Sequence, residues 1–122
     1  MIKTKAIDHV CLWVRSLPET KAYYEKVFAF DCHYRQEQWA TLVVEGEGVH
    51  FFISEYADKN DLIKKQHISF RVDSVDDVID QLNALKITQY DDGVSNCFNK
   101  NNYKWCEWRD PSGIRLECVE LL

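Results

Sequence analysis

IDHVCLWVRS (residues 7–16) and KQHISFRVDS (residues 65–74) are two versions of one pattern, and their repetition decides the fold. Each stretch has a histidine as its third residue, and these two histidines, 9 and 67, are 58 positions apart. At this offset Val10 corresponds to Ile68 and Leu12 to Phe70. Apolar residues at every second position are typical of β-strands. The chain is therefore predicted to contain a duplicated unit that begins with a histidine-bearing strand.

The same order of elements follows each of the two stretches. Ser16 with Glu19, and Ser74 with Asp77, have the spacing of helix N-capping pairs, and Pro18 suits a first helical turn. Helical apolar spacing follows each cap, and three apolar strand segments follow each helix. The predicted helices span 18–28 and 75–86, and the predicted strands span 31–37, 39–45, 49–55, 88–94, 103–109 and 114–120.

The repeat extends to the last strand of each half, where GVHFFIS (48–54) matches GIRLECV (113–119). Between the halves, YADKNDLIKK (56–65) is polar and rich in turn-forming residues, so it is predicted to be a linker. We therefore predict a single α+β domain over residues 1–122. It is built from two βαβββ modules in tandem, at 1–57 and 65–122.

Composition excludes several classes of protein. Of the 122 residues, 46% are hydrophobic and 29% are charged, as in ordinary globular domains. The net charge of −5, with no basic cluster, argues against a nucleic-acid partner. No apolar run is long enough to span a membrane, and the N-terminal MIKTKAIDHV lacks the apolar core of a signal peptide. We therefore expect no membrane partner and a cytoplasmic location.

The cysteines favour a reducing compartment. They are odd in number and form no CxxC pair. Most are interpreted as small core residues. The five positions are Cys11, Cys32, Cys97, Cys106 and Cys118.

Four stretches together resemble the vicinal oxygen chelate superfamily, which includes glyoxalase I, bleomycin resistance proteins, fosfomycin resistance enzymes and extradiol dioxygenases. They are the strand IDHVCLWV, the helix with AYYEKVFAF, the strand HISFRV and the ending WRDPSGIRLECVE. The resemblance covers nearly the whole chain. It implies that the two βαβββ modules form a curled mixed sheet around a cavity. It also implies a divalent metal ion, bound by the first and last strands of each module.

In this sequence the four ligand positions implied by the resemblance are His9, Phe52, His67 and Glu117. A phenyl ring has no lone pair to donate, so the implied metal ligands are His9, His67 and Glu117. Two imidazoles and one carboxylate suit Fe(II), and would also accept Mn(II), Zn(II) or Ni(II). Glyoxalase I sites carry a fourth side-chain ligand where Phe52 stands, which disfavours that activity. Each histidine taken alone is more simply explained as a hydrogen-bonded core residue, whereas the symmetric pair together with Glu117 favours the metal.

Further residues alternate onto the predicted cavity faces. His50 is assigned a catalytic role together with Glu117, with a structural role as its alternative. An arginine cluster beside a metal suits an anionic substrate, the alternative being surface charges. Cys11 is a space-filling residue, a reactive thiol or a fourth ligand. The predicted substrate-binding residues are Cys11, Trp13, Phe52, Ser69, Arg71, Glu107, Arg109 and Arg115.

Two hypotheses of function follow. The first is a divalent-metal-dependent enzyme of the lyase, dioxygenase or thiol transferase type, whose ion chelates two oxygens of a small substrate and acts as a Lewis acid. The second is a metal-free protein that sequesters a small ligand, as bleomycin resistance proteins do. The resemblance also implies a homodimer with shared active sites, in which His9 and the pair His67–Glu117 come from one chain or from two.

Overall fold

The computed structural model describes residues 1–35, 41–56, 58, 60–96 and 102–122. The chain divides into two compact units, Met1–Ile63 and Lys64–Leu122. In the first unit the elements are β1 (Cys11–Val14), α1 (Leu17–Phe28), β2 (Asp31–Tyr34), β3 (Thr41–Gly46), β4 (Val49–Glu55) and α2 (Asn60–Ile63). In the second they are β5 (His67–Arg71), α3 (Val75–Ala84), β6 (Asp91–Ser95), β7 (Tyr103–Arg109) and β8 (Arg115–Leu121).

Both units have the same sheet topology. The strand order is β1-β4-β3-β2 in the first sheet and β5-β8-β7-β6 in the second. In each sheet the first strand pairs in parallel with the last, and the other neighbours are antiparallel. The α+β class and the tandem βαβββ order predicted from the sequence are therefore confirmed.

The two long helices begin in the same way. The backbone N–H of Glu19 donates to Ser16 Oγ at 3.4 Å, and that of Asp77 donates to Ser74 Oγ at 3.2 Å. A second tie is also repeated: a glutamate of the unit's last strand accepts from the first residue of each helix, at 3.1 Å in both units. Because the first N–H groups of a helix have no partner inside it, these contacts fix where each helix starts.

Each sheet buries one face under its helix and leaves the other face for a site. Strand residues alternate between faces, so buried apolar residues occupy every second position in β1, β4 and β8, whereas three consecutive residues of β3, 42–44, are buried. In the first unit the buried residues include Leu12, Val14, Tyr24, Leu42, Val44, Phe51 and Ile53. In the second unit they include Val75, Leu82, Cys106, Trp108, Leu116 and Cys118.

Two predicted segments differ from the structure. The first strand was expected from the start of IDHVCLWV, but β1 begins at Cys11. Just before it, the carbonyl oxygen of Val10 accepts a hydrogen bond from the backbone N–H of Phe52 at 2.9 Å. His9 therefore lies just before the strand. The short helix α2 lies inside the segment predicted to be a linker, because Ile63 is fully buried and ties that segment to the core. None of the described helices is long and apolar enough to cross a membrane.

A tight turn joins β7 to β8 and aligns the two strands. Asp110 is 5% exposed, and its Oδ1 accepts from the backbone N–H groups of Ser112, Gly113 and Ile114 at 2.9, 2.9 and 3.0 Å. Gly113 has a φ of +101°, a conformation that residues with a Cβ rarely adopt. The turn DPSG (110–113) is thus held by one buried carboxylate.

Candidate metal and substrate site

The open face of the second sheet carries most of the predicted site residues of that unit. In the strand register Arg115 pairs with His67 on one side and Arg109 on the other, and Glu117 pairs with Ser69 and Glu107. Residues paired directly across strands share a face of the sheet. The period-two pattern of β5, β7 and β8 therefore brings these side chains together on the face opposite the core.

Two of the three predicted metal ligands are adjacent on this face. His67 Nε2 lies 3.5 Å from Glu117 Oε1, and the two side chains are 34% and 18% exposed. Adjacent ligands that each lie about 2.1 Å from one ion are about 3.0–3.5 Å apart. The donor types and their spacing therefore fit a divalent metal ion.

The other ring nitrogen of His67 contacts Arg115. Arg115 Nη2 lies 2.9 Å from His67 Nδ1, and Arg115 Nε lies 3.4 Å from Glu107 Oε2. A guanidinium has donors only, so Nδ1 accepts this hydrogen bond and a neutral ring carries its proton on Nε2. Glu107, Arg115, His67 and Glu117 thus form a continuous polar series across three strands.

A concavity of about 450 Å³ opens beside this series. It is lined by His67, Ser69, Arg71, Tyr103, Arg115, Glu117 and Val119. Five of these were predicted site residues. Tyr103 and Val119 were not among the predicted substrate-binding residues. They lie on the same face because an even number of positions separates Tyr103 from Glu107 along β7 and Val119 from Glu117 along β8.

Two other predicted substrate contacts lie on the same face but outside the lining of the concavity. Arg109 Nη1 donates to the carbonyl oxygens of Lys64 at 2.7 Å and Gly113 at 2.9 Å, so its guanidinium holds the β7–β8 turn. Glu107 faces the guanidinium of Arg115. Both residues support the site, and a direct contact of either with a substrate stays a prediction.

His9, the third predicted ligand, lies in the first unit. Its Nδ1 donates to Asp8 Oδ2 at 2.7 Å, and its ring stacks on Phe52 with centroids 4.3 Å apart. This hydrogen bond to His9, together with the charge of the imidazole, lowers the pKa of Asp8. A histidine that donates from one nitrogen to a carboxylate presents the other as a ligand, which is the usual arrangement at metal sites.

The remaining predicted residues of the first unit share the open face of its sheet. Cys11 pairs with Phe52 in the register, and Cys11 Sγ lies 3.6 Å from Ser54 Oγ. His50 Nδ1 lies 3.3 Å from the carbonyl oxygen of Asp8, and its ring is edge-on to Phe52. Trp13 is 42% exposed, and its ring stacks on a tyrosine. The first unit therefore contributes imidazole, thiol and aromatic groups.

A group that the sequence reasoning missed lies on the same face of the first sheet. Asp31, His33 and Glu45 have ligand atoms within 4.8 Å of one another and could hold a metal ion. None of the three was a predicted site residue, because only the pairing of β2 with β3 sets Asp31 opposite Glu45. His9 belongs to one unit and His67 with Glu117 to the other, so their convergence on one ion stays a prediction.

Comparison with protein families gave a match over most of the chain. Residues 6–118 match the family model described as the glyoxalase/bleomycin resistance protein/dioxygenase superfamily. Comparison with curated proteins gave no match.

Solved structures with the same fold include three with different descriptions. An integron cassette protein from the mobile metagenome of V. cholerae is 17% identical with a TM-score of 0.77, and 98% of each chain is covered. A bleomycin resistance determinant encoded on the transposon Tn5 is 14% identical with a TM-score of 0.75 and the same coverage. The fosfomycin resistance protein FosX from Listeria monocytogenes is 17% identical with a TM-score of 0.75, covering 98% of this chain and 94% of that one.

Proposed function

Because the chain belongs to the glyoxalase/bleomycin resistance protein/dioxygenase superfamily, we propose that it is a divalent-metal-dependent enzyme acting on a small oxygen-chelating substrate. The single observation that carries this proposal is the 3.5 Å approach of His67 Nε2 to Glu117 Oε1 beside a concavity. An imidazole and a carboxylate at this spacing, at the edge of a space of small-molecule size, suit a metal centre that is open to substrate.

His9, His67 and Glu117 are the proposed metal ligands. If Fe(II), Mn(II), Zn(II) or Ni(II) were bound there, these residues would hold the ion, and it would supply a Lewis acid for a substrate with two neighbouring oxygens. His9 supports the proposal because its Nδ1–H donates to Asp8 and leaves Nε2 to coordinate. The reaction is of the lyase, dioxygenase or thiol transferase type.

The residues around the proposed ligands suit a small anionic substrate. Arg71 and Arg115 line the concavity with Ser69, so two guanidiniums and one hydroxyl face the same space. Guanidinium groups bind carboxylates and phosphates through paired hydrogen bonds. His50 is the proposed acid–base residue of the first unit, because its ring lies next to His9 and Phe52.

We further propose a cytoplasmic homodimer with shared active sites, in which His9 and the pair His67–Glu117 come from one chain or from two. The support is membership of the glyoxalase/bleomycin resistance protein/dioxygenase superfamily, because the family resemblance implies such a dimer.

A second function is a metal-free protein that sequesters a small anion in the concavity. One observation favours it: Arg115 donates to His67 Nδ1, which leaves the proton of the neutral ring on Nε2, the atom that faces Glu117. In this alternative the His67–Glu117 contact is an ordinary hydrogen bond, and the substrate meets Arg71 and Arg115 without an ion.

Metal analysis separates the two functions. Untagged protein, purified without chelator and then supplied with each candidate ion, is expected to retain close to one equivalent of metal per chain after desalting. The His67→Gln variant is expected to retain almost none, and the His33→Gln variant, altered at the other acid–histidine group, is expected to match the parent. Unaltered protein that retains no ion under any of these conditions contradicts the enzyme proposal and supports the metal-free one.

A further inference from the structure

The two histidines proposed as ligands have opposite partners at Nδ1. His9 Nδ1 faces a carboxylate oxygen of Asp8 at 2.7 Å, whereas His67 Nδ1 faces a guanidinium nitrogen of Arg115 at 2.9 Å. A neutral imidazole has one N–H and one lone pair on its two nitrogens. His9 therefore carries its proton on Nδ1, and His67 carries its proton on Nε2.

This difference matters for metal binding, because a metal ion takes the lone pair of the nitrogen that it contacts. In His67 the nitrogen facing Glu117 is Nε2, at 3.5 Å. Coordination through Nε2 requires the ring proton to be on Nδ1. An Nδ1–H group cannot remain against Arg115, since both would then be donors. Metal binding by His67 thus requires Arg115 to leave Nδ1.

The guanidinium of Arg115 also faces the concavity, where a bound anion can reach it. The Arg115 side chain is 41% exposed and lines the concavity together with Arg71, and its buried Nε makes no hydrogen bond but lies 3.4 Å from Glu107 Oε2. An oxyanion in the concavity, such as a carboxylate or a phosphate group, can accept hydrogen bonds from this guanidinium. An oxyanion that accepts from Nη2, the nitrogen that donates to His67 Nδ1, competes with Nδ1 for that group.

We propose that Arg115 is a positioning residue that couples metal binding to anion binding. Without an anion it holds His67 in the tautomer that does not bind metal. An oxyanion that takes the guanidinium releases Nδ1, so anion and metal each strengthen the binding of the other by the same factor. The coupling rests on the proposed metal site, whereas the tautomer of His67 does not.

The tautomer is tested on metal-free protein. Nitrogen-15 NMR of the histidine rings, after chelator treatment and at about pH 9, where imidazole is neutral, reports which ring nitrogen carries the proton. We expect the Nε2–H form for His67 in the parent. Arg115→Met is expected to shift the tautomer ratio at least about tenfold towards Nδ1–H, since a hydrogen bond from a charged donor is worth that much.

Arg71→Met is the matched control, because it removes the same charge from the same concavity and keeps the Arg115–His67 contact. It is expected to leave the His67 tautomer unchanged. A parent protein with His67 in the Nδ1–H form overturns the proposal. The parent spectrum alone decides this point, so the test does not depend on the folding of the Arg115→Met variant.

The coupling is tested by calorimetry with Zn(II), with and without sulfate as the oxyanion. Arg115→Met is expected to bind Zn(II) about tenfold more tightly than Arg71→Met in the absence of sulfate. Sulfate is expected to strengthen Zn(II) binding to the parent and not to Arg115→Met. Equal affinities of the two variants overturn the coupling. If no protein binds Zn(II) but the Nε2–H tautomer is found, the proposed metal function fails and the role of Arg115 in setting the tautomer stands.

Discussion

Replacing Glu117 by glutamine removes a charge without changing the volume of the side chain, and the position of Glu117 in the sheet defines the expected effect. Glu117 on β8 lies directly opposite Glu107 on β7. Like charges that face each other across strands are destabilising by about 0.2–1 kcal/mol. Glu117 also contacts His67 at 3.5 Å, in a pair whose side chains are 18% and 34% exposed. A partly exposed pair of this kind contributes about 0–1 kcal/mol.

These two contributions to the metal-free protein are of similar size and opposite sign. Glu117→Gln is therefore expected to change the free energy of unfolding by less than about 1 kcal/mol, or the Tm by less than about 5 °C. The metal affinity is expected to behave differently. Loss of an outer carboxylate or carbonyl that accepts from a metal-ligating histidine already costs about 10–100-fold in affinity, so loss of a ligand's charge should cost at least about 100-fold.

The assay combines urea unfolding of chelator-treated protein with calorimetric titration of Zn(II). Glu107→Gln is the matched control, since it removes the same repulsion by the same substitution at a residue that is not a proposed ligand. It is expected to keep the metal affinity of the parent within a few-fold. A decrease of more than about 2 kcal/mol in the free energy of unfolding of metal-free Glu117→Gln would contradict the expected balance of charges. Equal Zn(II) affinities of Glu117→Gln and Glu107→Gln would contradict the role of Glu117 as a ligand.

Three further predictions concern the turn, the thiols and the assembly. Asp110→Ala removes the acceptor of three backbone N–H groups and is expected to lower the free energy of unfolding by about 3 kcal/mol in urea titrations. Asp110→Asn keeps an acceptor oxygen and is expected to lower it by less than half as much, so an equal decrease in the two variants would contradict this explanation of the turn. In a Cys97→Ser background, alkylation at about pH 8 followed by mass spectrometry is expected to find the exposed Cys11 modified first, because burial raises the pKa of Cys32 to about 11 and keeps it a thiol. Modification of Cys11 and Cys32 at the same rate would contradict this prediction. Gel filtration is expected to show twice the chain mass of 14.4 kDa, and a single-chain species in both dilute and concentrated samples would rule out a shared site.

The fold was predictable where the signals are local. The serine caps at Ser16 and Ser74 depend on contacts three residues away, and both were found in place. The late start of β1 was not predictable from alternation, because Ile7 and Val10 continue the apolar pattern although both are exposed. The helix α2 was missed because a single buried residue, Ile63, fixes a segment that is otherwise polar.

The sequence predicted which side of the second sheet carries the site residues, but it did not predict which of those residues contact each other. Period-two alternation was enough to place Ser69, Arg115 and Glu117 on one side of the second sheet. The partner of each group depends on register and on side-chain direction, which the sequence does not encode locally. Arg109, for example, reaches the Lys64 carbonyl oxygen, 45 residues away along the chain. The hydrogen bond from Arg115 to His67 likewise depends on the pairing of β5 with β8, which the sequence alone does not give.

The most direct test of the account is anomalous scattering from crystals of the protein reconstituted with Mn(II) or Zn(II). We predict one strong peak per site, within about 2.0–2.2 Å of His67 Nε2, a Glu117 carboxylate oxygen and a nitrogen of His9 from the same chain or from its partner. A peak at Asp31, His33 and Glu45 with none beside Glu117 would contradict the central claim, as would crystals that bind no ion at all.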